Sequence, residues 1–171
     1  MSMKLRNLKA SFIFKQKVFG SSKVKNTILK VDNFTFTIYH YSPYLVNVTG
    51  VKSLEQLKFA QKIIEEKLQQ QVVEVRIDNT FFSKKDYRNI NMDSVYKFMK
   101  LNEDFHVDYN IELFAGMYFH PKLKDYPTIL FFRTGSYTMM GGKNLKVLYE
   151  CETFIKKLIT TYDKSINKVN V

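Results

Sequence analysis

Thr37–Leu68 reads TIYHYSPYLVNVTGVKSLEQLKFAQKIIEEKL, and Thr128–Ile159 reads TILFFRTGSYTMMGGKNLKVLYECETFIKKLI. The two stretches align without a gap, 91 positions apart. Ile38 falls on Ile129, Gly50 on Gly141, Lys52 on Lys143, Leu54 on Leu145, Leu57 on Leu148 and Ile64 on Ile155. Tyr41 falls on Phe132, Val48 on Met139 and Ala60 on Cys151. A fixed offset over this length points to a duplicated unit. Two copies in one chain imply a pseudo-twofold surface, which suits a ligand of similar symmetry, duplex DNA among them.

Within each copy the apolar period switches from two to 3.6. Phe34, Phe36 and Ile38 alternate with Thr35, Thr37 and Tyr39, the pattern of a strand with two unlike faces. Ser42-Pro43 signals a turn, and Val46 and Val48 alternate with Leu45, Asn47 and Thr49 in the return strand of a hairpin. Gly50 breaks that strand, Ser53 with Gln56 forms a capping box, and Leu54, Leu57, Ile63, Ile64 and Leu68 make a helical stripe. The second copy repeats the scheme. Ile129 and Phe131 oppose Leu130 and Phe132, Thr134-Gly135-Ser136 turns, and Tyr137 and Met139 oppose Thr138 and Met140. Gly141-Gly142 ends the hairpin, and Asn144 caps a helix bearing Leu145, Leu148, Cys151, Phe154, Ile155 and Leu158.

Upstream of the copies lie further β-like runs, Ala10–Phe14 and Thr27–Val31 in the first half, Val72–Phe82 and Leu113–Phe119 in the second. Only the second half adds another helical pattern, Asn91–Leu101, with Val95, Phe98 and Met99 on one side. The reading is therefore α+β: antiparallel strands with helices on one sheet face and the other face free. That free face carries Tyr39, Tyr41, Leu45, Asn47 and Thr49, and their counterparts Leu130, Phe132, Thr138 and Met140. So many apolar and aromatic groups on an open face mark a binding surface. The division expected is a shortened first repeat over 1–70, a second over 71–162 and a polar, frayed tail over 163–171.

Composition narrows the partner. Among 171 residues, 27 Lys and Arg against 16 Asp and Glu leave a net charge of +11, and basic residues crowd the N-terminal third. Such an excess favours a polyanion through attraction and counterion release. One cysteine, Cys151, excludes an internal disulfide framework and fits an intracellular home; its place opposite Ala60 reads as a buried small hydrophobe. No apolar run reaches the length of a membrane span, and no apolar segment follows the basic N-terminus as in a secretory signal. No cofactor is expected. His40, His106 and His120 are scattered without metal-ligand spacing, Phe19-Gly20-Ser21-Ser22-Lys23 lacks the earlier glycine of a phosphate loop, and no nucleophile–base signature is present, so the chain does not read as an enzyme.

Several short motifs resemble one family. Glu112-Leu113-Phe114-Ala115-Gly116 resembles the Glu-Leu-Phe-Pro-Gly of the second repeat of TATA-box-binding proteins. Val75-Arg76-Ile77-Asp78-Asn79 resembles the family's Phe-Lys-Ile-Gln-Asn, and Leu5-Arg6-Asn7-Leu8-Lys9-Ala10-Ser11 its Leu-Gln-Asn-Ile-Val-Ala-Thr. Thr49-Gly50-Val51-Lys52 resembles its Thr-Gly-Ala-Lys, with Gly141-Gly142-Lys143 as a looser copy. The resemblance runs in order from about Leu5 to Ile159. It implies a duplicated saddle, a curved antiparallel sheet with helices on its convex face and a concave face that sits on the DNA minor groove. From Asn7 to Tyr41 is 34 positions and from Asn79 to Phe132 is 53, so the first repeat is expected to lack one helix.

The resemblance also implies roles. In the family, apolar wedges unstack base steps while polar side chains read the groove. Phe114 and Phe132 match one wedge pair and Tyr41 matches a member of the other, whose second member falls near Val24. Asn7 and Asn79 match groove-reading asparagines, able to donate to the A·T acceptors. Thr49 matches a groove-contacting threonine, opposite Met140 in the other copy. Tyr39, Asn47, Phe81, Leu130 and Thr138 complete the expected DNA-facing set. Lys52 and Lys143 match phosphate-contacting lysines, and Lys30 and His120 stand at arginine positions. Lys9 and Asn47 replace apolar groove contacts, and Leu45 and Ser136 replace lysines. Glu112 and Leu113 match residues that dock a further initiation factor. The function implied is a transcription initiation factor that binds and bends A·T-rich promoter DNA and recruits initiation factors or RNA polymerase subunits, in a nucleus or at a site of viral transcription. The alternative is a protein-interaction subunit of the same fold without sequence-specific DNA binding, favoured by Lys9, Asn47 and Met140.

Overall fold

A computed structural model describes residues 3–16, 26–40 and 44–165. The chain divides into two compact units, Leu5–Thr80, and the residues from Phe81 onward together with the N-terminal residues through Lys4. Val24, Tyr41, the Ser42-Pro43 turn and the tail beyond Ser165 lie outside the described residues.

The first unit opens with β1 (Lys4–Phe14), followed by β2 (Asn26–Val31), β3 (Phe34–Tyr39), β4 (Leu45–Val51) and α1 (Leu54–Leu68). The strands are antiparallel in the order β2-β3-β4-β1, and β5 (Val72–Lys84) comes next to β1. Alternation decides the faces. Phe34, Phe36, Ile38, Val46 and Val48 are buried together with Leu8, Ala10 and Phe12 of β1, under Leu57, Ala60 and Ile64 of α1. The intervening Thr35, Thr37, Tyr39, Leu45, Asn47 and Thr49 are half-buried on the opposite face, as their parity requires.

The second unit takes the end of β5, then α2 (Met92–Lys100), β6 (Phe105–Asp108), β7 (Gly116–Pro121), β8 (Thr128–Phe132), β9 (Tyr137–Met140) and α3 (Leu145–Tyr162). Its antiparallel order is β5-β9-β8-β7-β6. Met117, Phe119, Ile129, Phe131 and Met139 are fully buried, as are Leu148, Cys151 and Ile155 of α3 to within a few per cent. Phe105 stacks on Phe154 of α3 at 5.8 Å and tilts against Phe119 at 6.4 Å, which fixes the helix against this face. Burial pushes the Cys151 thiol up to about 12, so it behaves as the small hydrophobe expected. Burial, with Glu152 nearby, also raises Tyr137.

The elements keep the 91-position frame. Helices α1 and α3 begin at Leu54 and Leu145, capped by Ser53 and Asn144. Gly50 and Gly141 hold φ of +88° and +86°, the left-handed region that glycine alone enters freely. Among the described residues the first unit has one helix and the second has two.

Five expectations are corrected. Gly50 does not end its strand, because β4 runs through it to Val51. Gln56 reaches the backbone N–H of Lys52 at 2.8 Å, one residue before the Ser53 cap, so the capping box is displaced. Leu54 and Phe98, expected on apolar helix stripes, are 42% and 43% exposed; Leu54 sits at the first helical position, and Phe98 tilts against Tyr162 at 5.9 Å. The run from Leu113 becomes a strand only at Gly116, because Leu113 and Phe114 turn back onto the Asn110 carbonyl at 3.2 and 2.9 Å. Asp163 does not open a frayed tail: it is buried, pairs with Arg88 at 3.4 Å and bridges to Ile90. Hydrogen bonds from Ser165, with Arg88 beside them, hold its carboxyl below the usual range. Strand β6 is an addition, too short to stand out in the sequence.

Candidate nucleic-acid interface

In the second unit, the face away from the helices is built by period-two alternation. Leu130 and Phe132 point opposite to the buried Ile129 and Phe131, and Thr138 and Met140 opposite to Tyr137 and Met139. Register then places like with like: Phe81 pairs with Met140, Thr138 with Leu130, and Leu130 with Tyr118. Phe114 enters this face from the turn before β7. Its ring meets Phe132 edge-on at 6.1 Å and stacks on Tyr118 at 5.8 Å, and Tyr118 stacks on His120 at 5.7 Å. These are ordinary aromatic spacings, so the rings support one another. Yet Phe114 remains 44% exposed.

Gly116 makes the room. It pairs with Phe132 across the sheet, and a β-carbon there would stand 2.6 Å from Phe114, 2.7 Å from Leu130 and 3.0 Å from Phe132. The aromatic pair therefore lies down over a residue without a side chain. Just before it, Glu112 and Leu113 are exposed at the turn tip, Leu113 at 83%, with the Glu112 N–H donating to Asn110 Oδ1 at 3.0 Å. Lys143 is exposed immediately after the Gly141-Gly142 turn.

The corresponding face of the first unit has a different chemistry. Ser11 opposes Asn47, which opposes Thr37 on β3, and Thr49 opposes Thr35. Ser11 Oγ donates to Asp78 Oδ2 and stands 2.7 Å from Asn47 Oδ1. Asn47 Nδ2 donates to the Tyr39 hydroxyl at 3.3 Å, and Arg76 Nε donates to Asp78 Oδ1 at 3.0 Å. Lys9, Ser11, Tyr39, Leu45, Asn47, Arg76 and Asp78 line an open recess of about 350 Å³. Asn7 and Asn79 are both exposed, on β1 and β5. Lys30 and Lys52 are exposed, the first on β2 and the second before α1.

The structure thus gathers Phe81, Phe114, Leu130, Phe132 and Thr138 on one open face. It gathers Tyr39, Asn47 and Thr49 on the other unit's open face, with Tyr41 outside the described residues. Three features were not anticipated. The clearance at Gly116 needs the register of β7 and β8. The Tyr118–His120 stack was visible as residues alternating with Met117 and Phe119. The Ser11–Asp78 contact joins residues 67 positions apart and leaves no local signal.

The topology, an α+β chain of antiparallel sheet strands backed by helices in two like halves, is that of the TATA-box-binding proteins. The structure is similar to that of the TBP of Methanococcus jannaschii, with a TM-score of 0.67, at 19% identity, covering 94% of this chain and 99% of that one. No family model matches the sequence, and no curated protein does. At this identity the likeness establishes the fold.

Proposed function

We propose that this chain is a TBP-like transcription initiation factor that binds A·T-rich duplex DNA through the minor groove and bends it, with Phe114 and Phe132 as its wedge. The observation that carries the reading is that aromatic pair, supported by Tyr118 and kept open above Gly116. Keeping apolar rings on an open sheet face in water costs free energy, and burying them against unstacked bases recovers it, which is how minor-groove wedges work. The net charge of +11 supports the same partner, with Lys30, Lys52 and Lys143 as phosphate contacts. Asn7 and Asn79, Thr49 and Thr138 supply hydrogen bonds at the groove floor. Glu112 and Leu113, exposed beside the wedge, are suited to hold a further initiation factor or a polymerase subunit. The role is binding in an intracellular transcription apparatus, nuclear or viral, with no catalysis of its own.

A second reading, a protein-interaction subunit of the same fold, is favoured by the polar face of the first unit, where Lys9 and Asn47 stand in place of apolar contacts. Binding to A·T-rich and G·C-rich duplexes of equal length at fixed salt separates the two. A promoter binder prefers the A·T-rich duplex and loses at least about tenfold in affinity, ~1.4 kcal/mol, when Phe114→Ala and Phe132→Ala are combined. Weak, sequence-blind binding that ignores this double change supports the interaction subunit instead.

A further inference from the structure

We infer that the first unit carries a guanine-reading pocket, with the Asp78 carboxylate as acceptor for the 2-amino group of a G·C pair in the minor groove. The inference rests on the DNA-binding reading above and concerns which base pair the first unit takes.

The argument is one of donors and acceptors. The minor-groove edge of an A·T pair presents acceptors only, adenine N3 and thymine O2; guanine N2 is the one donor that any Watson–Crick pair offers there. A groove reader for A·T must therefore present donors. The recess of the first unit adds an acceptor, the Asp78 carboxylate, to the donors Lys9 and Arg76. Asp78 keeps 21% of its side chain open and uses one oxygen for Arg76 and the other for Ser11. A carboxylate has about four acceptor sites, so two contacts leave capacity for another donor. Set against adenine N3 or thymine O2, that carboxylate faces another acceptor, and both lose their water without gaining a partner. Set against guanine, it gains a charge-assisted bond.

Two further observations fit. Ser11 is 1% exposed, donates to Asp78 and stands beside Asn47, so the carboxylate is anchored within the recess. Lys9 and Arg76 line the same recess, which leaves it net positive despite Asp78. The recess is therefore able to approach a phosphate-lined groove, where an unescorted carboxylate would be repelled.

Inosine tests the inference directly, since it pairs with cytosine but lacks the 2-amino group. A single G·C pair is walked through an A·T-rich duplex, and at each position the G·C duplex is compared with its I·C counterpart at fixed salt. The expected result is one position, or one pair of neighbours, at which G·C binds at least about fivefold tighter, ~1 kcal/mol. Asp78→Ala abolishes that ratio, and Asp78→Asn, which keeps the shape but not the charge, reduces it. The combined Phe114→Ala and Phe132→Ala change weakens both duplexes and leaves the ratio in place. I·C binding as well as or better than G·C at every position in the unaltered chain overturns the inference while leaving the DNA-binding reading intact. Failure to bind any of these duplexes overturns both.

Discussion

At the residue scale, the open face of the second unit depends on a missing side chain. Phe114, Leu130 and Phe132 converge on the space above Gly116, with a virtual β-carbon 2.6 to 3.0 Å from all three. These neighbours are ends of side chains on an open face, so they are able to give way. Gly116→Ala should therefore displace the rings without dismantling the core beneath, where Met117 and Phe131 stay fully buried. The expected outcome is a melting temperature within about 3 °C of the parent, because a core cavity or clash is what moves it further. If the rings act as the proposed wedge, affinity for an A·T-rich duplex falls roughly tenfold, since rings shifted by an ångström would no longer meet the base step. Unchanged affinity, with aromatic NMR shifts showing that the rings have moved, would sink the idea that their placement matters. The motif around Gly116 was legible in the sequence; its purpose was not, because the contact needs Phe132 from another strand in register.

At the scale of elements, the hairpin-and-helix units were the most legible part of the chain. Their signals are local: period-two alternation in β3 and β8, glycines before the helices, and Ser53 and Asn144 accepting from Gln56 and Lys146 backbone N–H groups. The displaced capping box and the late start of β7 were illegible, since each turns on one or two local hydrogen bonds among several sterically possible ones. The two junction glycines also separate what sequence treats as equal. Both have positive φ, but a β-carbon on Gly50 would lie 2.1 Å from the Asn33 carbonyl oxygen, whereas one on Gly141 meets nothing within 4 Å. Gly141→Ala incurs only the left-handed strain of about 1–2 kcal/mol. For a chain of this size that lowers the melting temperature by about 2–8 °C. Gly50→Ala adds a backbone collision between the β2–β3 turn and β4 and should cost clearly more. Thermal melts of the two variants side by side are the check, and equal losses would contradict the distinction.

At the scale of the whole molecule, two units with similar strands and a common repeat frame present unlike chemistry. One open face is aromatic around Phe114, Tyr118 and Phe132; the other is a hydrogen-bonded network around Ser11, Asn47 and Asp78. If both met the same duplex, the work of deforming it would fall on the second unit. Bending a site by tens of degrees costs on the order of 1–10 kcal/mol, and a wedge repays it by stacking on the bases it opens. A polar network makes its bonds to a groove that is already in place and gains little from a kink. One wedge pair should thus bend DNA by well under the roughly 80° of TATA-box-binding proteins that use two, about half of it, and to one side of the site's centre. Fluorescence transfer between the duplex ends gives the angle, and moving the site along a fixed-length duplex locates the kink. Combining Phe114→Ala with Phe132→Ala should straighten whatever complex remains. A bend of about 80° centred on the site, or one indifferent to that double change, would mean that the polar face deforms DNA as strongly as the aromatic one, and would overturn the division of labour between the units.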